Sequence, residues 1–192
     1  EGGICTTNDP KLYSQLCRFR SHGITRQPKE MINKPDGSWY YEQLDLGYNF
    51  RLNDLMSALG ISQLEKLDKF IKEREKIAKI YNSLLSETSV VIPEQSLDTN
   101  SSRHLYIIRV PKERNLIFEH LRNNGIGVNI HYIPIYRQPF YKKYNYNYND
   151  FPEAEAYYRE AISIPIFPGL TKRQQEKIIK IIQDPPGFQN LF

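Results

Sequence analysis

The chain has 192 residues, 40% of them hydrophobic and 25% charged, with a formal net charge of +4. That length holds one ordinary domain, or one with part of another, and it buries about 70% of the unfolded surface without disulfide or metal staples. No apolar run approaches the roughly 20 residues of a membrane helix, and acids interleave the basic residues, so no stripe is left to track a nucleic acid. The two cysteines, Cys5 and Cys17, lack metal-ligand spacing and read as reduced thiols in the core of a cytoplasmic protein.

Residues 2–7 (GGICTT) read as a short strand. Asn8, Asp9 and Pro10 then cap a helix with Leu12, Leu16 and Phe19 on one side, ending near His22 and Gly23. Residues 25–45 carry two prolines, a Pro-Asp-Gly turn and no helical period, which describes a long loop of the functional kind. From Asn53, an N-cap, Leu55, Leu59, Leu64, Leu67, Phe70, Ile71, Ile77, Ile80, Tyr81 and Leu84 recur at helical spacing over 53–85. That is too long for one average helix, so a break is expected near 67–70. Its segment KLDKFIKEREKIAK is a solvated face with Glu/Lys pairs one turn apart.

The second half alternates. Residues 104–110 (HLYIIRV) form a predicted strand, 113–124 a helix stopped by Gly125 and Gly127, and 128–131 another strand. Residues 136–148, rich in tyrosine and asparagine, read as a short helix and a polar loop. A helix over 151–161, a strand over 162–166 and a helix over 171–183 with a Thr171 cap follow. This order predicts a small α/β sandwich, a sheet with helices packed on it.

Few residues stand out chemically. The loop before the Asn53 cap brings an aromatic, an amide and a guanidinium (Tyr48, Asn49, Arg51) within four positions, a set suited to gripping a phosphate. The alternative is a plain helix entry with Arg51 paired to Asp54. His131, in VNIHYIPIY, stands at a strand end, where a neutral imidazole binds a hydroxyl or an anion, or simply supports the fold. Trp39, beside Tyr40 and Tyr41, either contacts a ligand or packs the loop. His104 reads as structural, and His22 and His120, placed on helix faces, are given no chemistry. There is no nucleophile elbow, Walker loop or zinc spacing.

Taken whole, residues 46–68 (LGYNFRLNDLMSALGISQLEKLD) resemble the signature region of the DegT/StrS nucleotide-sugar aminotransferases, which are fold type I, aspartate aminotransferase-like enzymes that use pyridoxal 5'-phosphate (PLP). The likeness runs from Glu1 to about Gln183. The runs FRSHGI, SSRHLY, HYIPIY and FYKK are most similar to the branch that aminates a UDP-linked 4-keto-6-deoxy sugar on the way to pseudaminic acid. The resemblance implies the C-terminal half of such an enzyme. Residues 1–52 would be the tail of the large cofactor domain with a substrate and partner loop at 25–52, and residues 53–192 the small α/β domain with its connecting helix at 53–85.

It also implies residue roles. Asn49 would reach across a homodimer to the cofactor phosphate of the partner subunit. His131, Tyr132, Arg51, Trp39 and Tyr48 would contact the nucleotide sugar. Glu1-Gly2-Gly3 looks like the glycine pair that follows the Schiff-base lysine, which is then expected upstream of Glu1. L-Glutamate would supply the amino group to a 4-keto-6-deoxy sugar used for surface polysaccharide or glycan synthesis. Alone, the chain is expected neither to bind PLP nor to react, and to expose apolar surface that drives self-association. Two alternatives stay open: a PLP-dependent 3-dehydratase of the same family, and a non-catalytic binding or dimerisation module.

Overall fold

The computed structural model describes residues 3–184, which fall into two compact units that divide between Glu65 and Lys66. In the first, α1 (Pro10–Arg20) starts where expected. The Asp9 carboxylate accepts from the Lys11 and Leu12 N–H groups, and Pro10 occupies the first turn. A two-residue ladder pairs β1 (Ile24–Thr25) antiparallel with β2 (Glu42–Gln43), and a 3-10 turn at Pro28–Glu30 opens the loop between them. Helix α2 (Asp54–Leu64) is capped by Asn53, whose Oδ1 accepts from Met56 N–H at 2.9 Å.

Residues 3–7 are not a strand, because no segment among the described residues pairs with them; Glu1 and Gly2 lie outside the described residues. The cysteines are not in the core either: Cys5 is exposed and Cys17 half-buried, both on an open groove of the first unit.

The long apolar pattern breaks at Glu65 and Lys66, just before the expected place, and α3 (Leu67–Leu85) follows. The two compact units divide at the same point, and α2 groups with the first. The pattern itself changes there. Apolar side chains of α2 point outward on every side, Leu55, Met56, Leu59, Ile61 and Leu64 all being exposed, whereas α3 buries one stripe of Ile77, Ala78, Tyr81 and Leu85.

In the second unit β3 (Tyr106–Arg109) pairs antiparallel with β4 (Ala161–Ile164), Tyr106 opposite Ile164 and Arg109 opposite Ala161. Single bridges widen this sheet on both sides, Val91 to Arg109 and Asn129 to Ser163. The cross-strand pairs Tyr106–Ile164 and Ile108–Ile162 make one apolar face. It packs on Ile77, Tyr81 and Leu85 of α3, on Ile117 and Leu121 of α4 (Arg114–Asn123), and on Ile178, Ile179 and Ile182 of α6 (Lys172–Gln183). Thr171 starts α6 with a reciprocal capping box to Gln174. Helix α5 (Pro152–Glu160) leads directly into β4, which stops before Pro165, a residue with no N–H for a ladder.

Residues 128–131 do not form a full strand. Only Asn129 bridges to Ser163, and its own Oδ1 takes the next N–H, that of Ile130, at 2.8 Å. In place of one short helix, the 136–148 region holds separate 3-10 turns, Ile135–Arg137 and Pro139–Tyr144, with Tyr148–Asp150 after them.

Polar side chains tie this core. Tyr81 donates its hydroxyl to Pro165 O at 2.9 Å, and burial pushes its pKa up. Fully buried Gln175 donates to Ile77 O at 2.9 Å. Arg74 on α3 donates through one nitrogen to three carbonyls, Arg103 O, His104 O and Ile166 O, at 3.1, 3.2 and 2.8 Å. No helix among the described residues is long and apolar enough to cross a membrane.

Ile108 lies at the centre of the packed face and is fully buried. Ile108→Ala is expected to cost about 2–5 kcal/mol, seen as a lower denaturation midpoint by circular dichroism.

Candidate functional site

The first candidate site is built where the end of α1 meets residues 45–51. Gly23, at φ +71°, donates its N–H to Arg18 O at 2.8 Å and so closes the helix. The backbones then run side by side. Tyr48 N–H donates to Phe19 O and His22 N–H to Tyr48 O, both at 2.8 Å, and Phe50 N–H donates to Arg20 O at 3.0 Å. A Cβ on Gly47 would collide with the backbone of Gly23, and one on Gly23 with the Asp45 carbonyl. Only glycines permit this approach. Arg18 clamps the same corner, its Nε 2.8 Å from Asp45 Oδ2 and its Nη1 3.7 Å from Glu30.

This corner brings together Asn49, Arg51 and Tyr48. Arg51 Nε donates to Asn49 Oδ1 at 2.8 Å, and Arg51 Nη2 lies 3.2 Å from His22 Nε2. The expected alternative, Arg51 with Asp54, does not form. A guanidinium has donors only, so the oxygen of Asn49 faces Arg51 and its NH2 group points the other way. The described residues offer that NH2 no acceptor. Asn49 and Arg51 are exposed. The Tyr48 ring stacks on Phe50, centroids 4.8 Å apart and 7° from parallel. Both border an apolar groove of about 860 Å³ with Tyr13, Cys17, Phe19 and Arg51.

Trp39 does not join this group. It is 73% exposed, and its ring folds over Gly37, where a Cβ would strike it. Its loop is organised by Glu42, a nearly buried carboxylate that accepts from Ile32 N–H at 2.6 Å, Asn33 N–H at 2.7 Å, Asn33 Nδ2 at 2.9 Å and the Tyr40 hydroxyl at 3.1 Å. Chiefly the Ile32 bond, then those from Asn33 and Tyr40, hold its pKa below the ordinary carboxylate value, against burial, which raises it.

His131 and Tyr132 lie in the second unit. His131 Nδ1 is 2.7 Å from Ser163 Oγ on β4, and the ring meets Tyr132 edge-on at 4.7 Å. Tyr157 reaches the His131 carbonyl at 3.3 Å. With Nδ1 taken by Ser163, Nε2 is the nitrogen left for a ligand. His131, His104, Asn129 and Ser163 line a groove of about 300 Å³, so His104 shares a surface with His131. Tyr132 is 72% exposed. Beyond it, buried Glu155 binds Arg137 at Nε (2.9 Å) and Nη2 and the Tyr136 hydroxyl at 2.9 Å. The Arg137 bonds above all hold its pKa low.

His22, Ser163 and Glu42 are absent from the sequence-based site. For Glu42 the only signal was an acid within an aromatic loop, and for Ser163 a lone polar residue within an apolar strand.

The family model for DegT/DnrJ/EryC1/StrS aminotransferases matches residues 1–183. The chain belongs to that family. Among DegT-family relatives, the UDP-4-amino-4,6-dideoxy-N-acetyl-beta-L-altrosamine transaminase of Campylobacter jejuni is 36% identical over 86% of this chain and 43% of its own. PseC of Helicobacter pylori, an aminotransferase of pseudaminic acid biosynthesis, superposes with a TM-score of 0.80 at 31% identity, over 92% of this chain and 46% of PseC. The candidate sugar aminotransferase Spr1654 of Streptococcus pneumoniae, in its PLP form, gives 0.79 at 28% identity, over 92% and 43%. The chain spans about half the length of the curated relatives it matches. The α/β fold read from the sequence is therefore that of DegT-family aminotransferases.

Because the Glu42 pKa is lowered in the fold, its stabilising contribution is complete above the ordinary carboxylate value and is lost as pH falls through the folded one. The Ile32 and Asn33 amide-proton resonances are expected to move upfield together on acidification below the ordinary carboxylate range. In Glu42→Gln they should stay flat across the same range.

Proposed function

We propose that this chain forms the C-terminal part of a PLP-dependent aminotransferase that moves an amino group from L-glutamate to a nucleotide-linked 4-keto-6-deoxy sugar. The protein would act as a homodimer. The observation that carries this reading is the orientation of Asn49: its oxygen is occupied by Arg51 and its NH2 is turned outward, a donor looking for an acceptor.

The donor set fits a phosphate. An outward amide stands beside a guanidinium, while the Asp45 carboxylate in the same corner is paired with Arg18. Asn49 would hold the cofactor phosphate of the partner subunit, and Arg51 would keep the amide in place while adding positive charge. When bound, PLP supplies the electron sink that amino-group transfer needs. The Schiff-base lysine is placed upstream of Glu1 in this reading, so the 192-residue chain by itself should release no 2-oxoglutarate from glutamate.

On the second unit, His131 would offer Nε2 to a sugar hydroxyl or diphosphate oxygen, its ring fixed by Ser163. Tyr132, with an exposed phenol, would add a second contact. On the first unit, Trp39 and Tyr48 would offer exposed aromatic faces to a nucleotide sugar. The transaminase name of the Campylobacter relative supports amination over the dehydratase alternative, and it supports a UDP-linked sugar as the first substrate to try.

The test uses the protein extended to the length of its relatives. Asn49→Ala should weaken PLP binding about tenfold, the worth of a hydrogen bond to a charged group, with little change in the KM for sugar. His131→Ala should raise the sugar KM and leave the PLP Kd alone. If neither variant moves either constant, this assignment is wrong.

A further inference from the structure

We propose that His22 is a positioning residue for Asn49, acting through Arg51; the proposal rests on the cofactor-phosphate reading above. His22 sits one residue past the C-cap of α1 with φ +60°, a left-handed conformation that residues with a side chain seldom adopt. That conformation accompanies the contact between its ring and Arg51, Nε2 to Nη2 at 3.2 Å. Arginine cannot accept, so in this contact Nε2 of His22 is assigned the acceptor role.

The chain of contacts then has one direction. Arg51 Nη2 donates to His22 and Arg51 Nε donates to Asn49 Oδ1 at 2.8 Å. The guanidinium is planar and rigid, so fixing one nitrogen fixes the other. His22 thus stops Arg51 from swinging into solvent, and Arg51 stops the Asn49 amide from flipping. The backbone reinforces the alignment, since His22 N–H donates to Tyr48 O and Ser21 bridges to Asn49. An amide free to rotate would present its oxygen to a phosphate for part of the time, and that encounter is repulsive. His22 itself makes no contact with the phosphate.

The side chain needed at position 22 is one that accepts at the right distance, which glutamine can do and alanine cannot. Four proteins extended to the length of the relatives are compared: wild type, His22→Ala, His22→Gln and Asn49→Ala, with the double variant His22→Ala/Asn49→Ala as a fifth. PLP Kd is measured by titrating the apoprotein. His22→Ala should weaken PLP about tenfold. His22→Gln should restore most of the loss, and the double variant should be no weaker than Asn49→Ala alone. In the 192-residue chain without cofactor, the Asn49 side-chain NH2 resonances should shift in His22→Ala and return in His22→Gln.

If Asn49→Ala leaves the PLP Kd unchanged, the cofactor reading of Asn49 fails. If Asn49→Ala weakens PLP but His22→Ala does not, the positioning role is overturned. It is equally overturned if the two losses add, or if His22→Gln behaves like His22→Ala.

Discussion

The close passage of Gly23 against residues 45–47 governs the first unit. Two backbones approach so nearly that a methyl group on either glycine would meet peptide atoms. That proximity lets the end of α1 exchange hydrogen bonds with Tyr48 and Phe50, and those bonds put Asn49 and Arg51 beside His22. Arg18 locks the corner by neutralising Asp45 in the same turn. The site is thus a consequence of missing side chains as much as of present ones. Its polar groups are mounted on a crossing that no larger residue tolerates.

Much of this was legible in the sequence, and what was missed has a common physical cause. Caps are local, so Asp9, Asn53 and Thr171 announced their helices correctly. Apolar periodicity identified α3, α4, α6 and both strands of the larger sheet, because one buried face imposes a repeat. Strand pairing is not local, and there the reading went astray: 3–7 has no partner among the described residues, and Asn129 spends its side chain on the backbone donor that a strand would have used. In the same way Asn49 and Arg51 could be singled out as neighbours in the chain, whereas His22 is 29 positions from the arginine that it touches. The helix-face placement of His22 failed because α1 ends at Arg20 and the chain turns left-handed just beyond.

The second unit solves a different problem. Its sheet must be apolar where it meets α3, α4 and α6, yet Ser163 is placed in β4, where every residue is buried. It bridges Asn129 through its backbone and meets His131 through its hydroxyl. A single residue therefore joins the packed layer to the ring that faces the groove. Glu155 plays the matching part a little further on: one carboxylate gathers Arg137 and Tyr136, and the guanidinium in turn lies over Tyr148 and Tyr158 at 5.0 and 5.1 Å. Around residues 131–158 this unit is held by one buried carboxylate, Glu155, and by the hydroxyls of Ser163 and Tyr136.

Arg74 carries a consequence for local opening. One nitrogen of its guanidinium serves carbonyls from two chain segments, at 103–104 and at 166, which flank the entry to β3 and the exit from β4. Neither segment can lift away without stripping the same cation of part of its coordination. Because the strands are antiparallel and Tyr106 faces Ile164, both segments lie at one end of the pair, and fraying of either strand there is merged into one cooperative event. A single side chain on α3 thus makes the two strands open and close as one at the end where β3 begins and β4 stops.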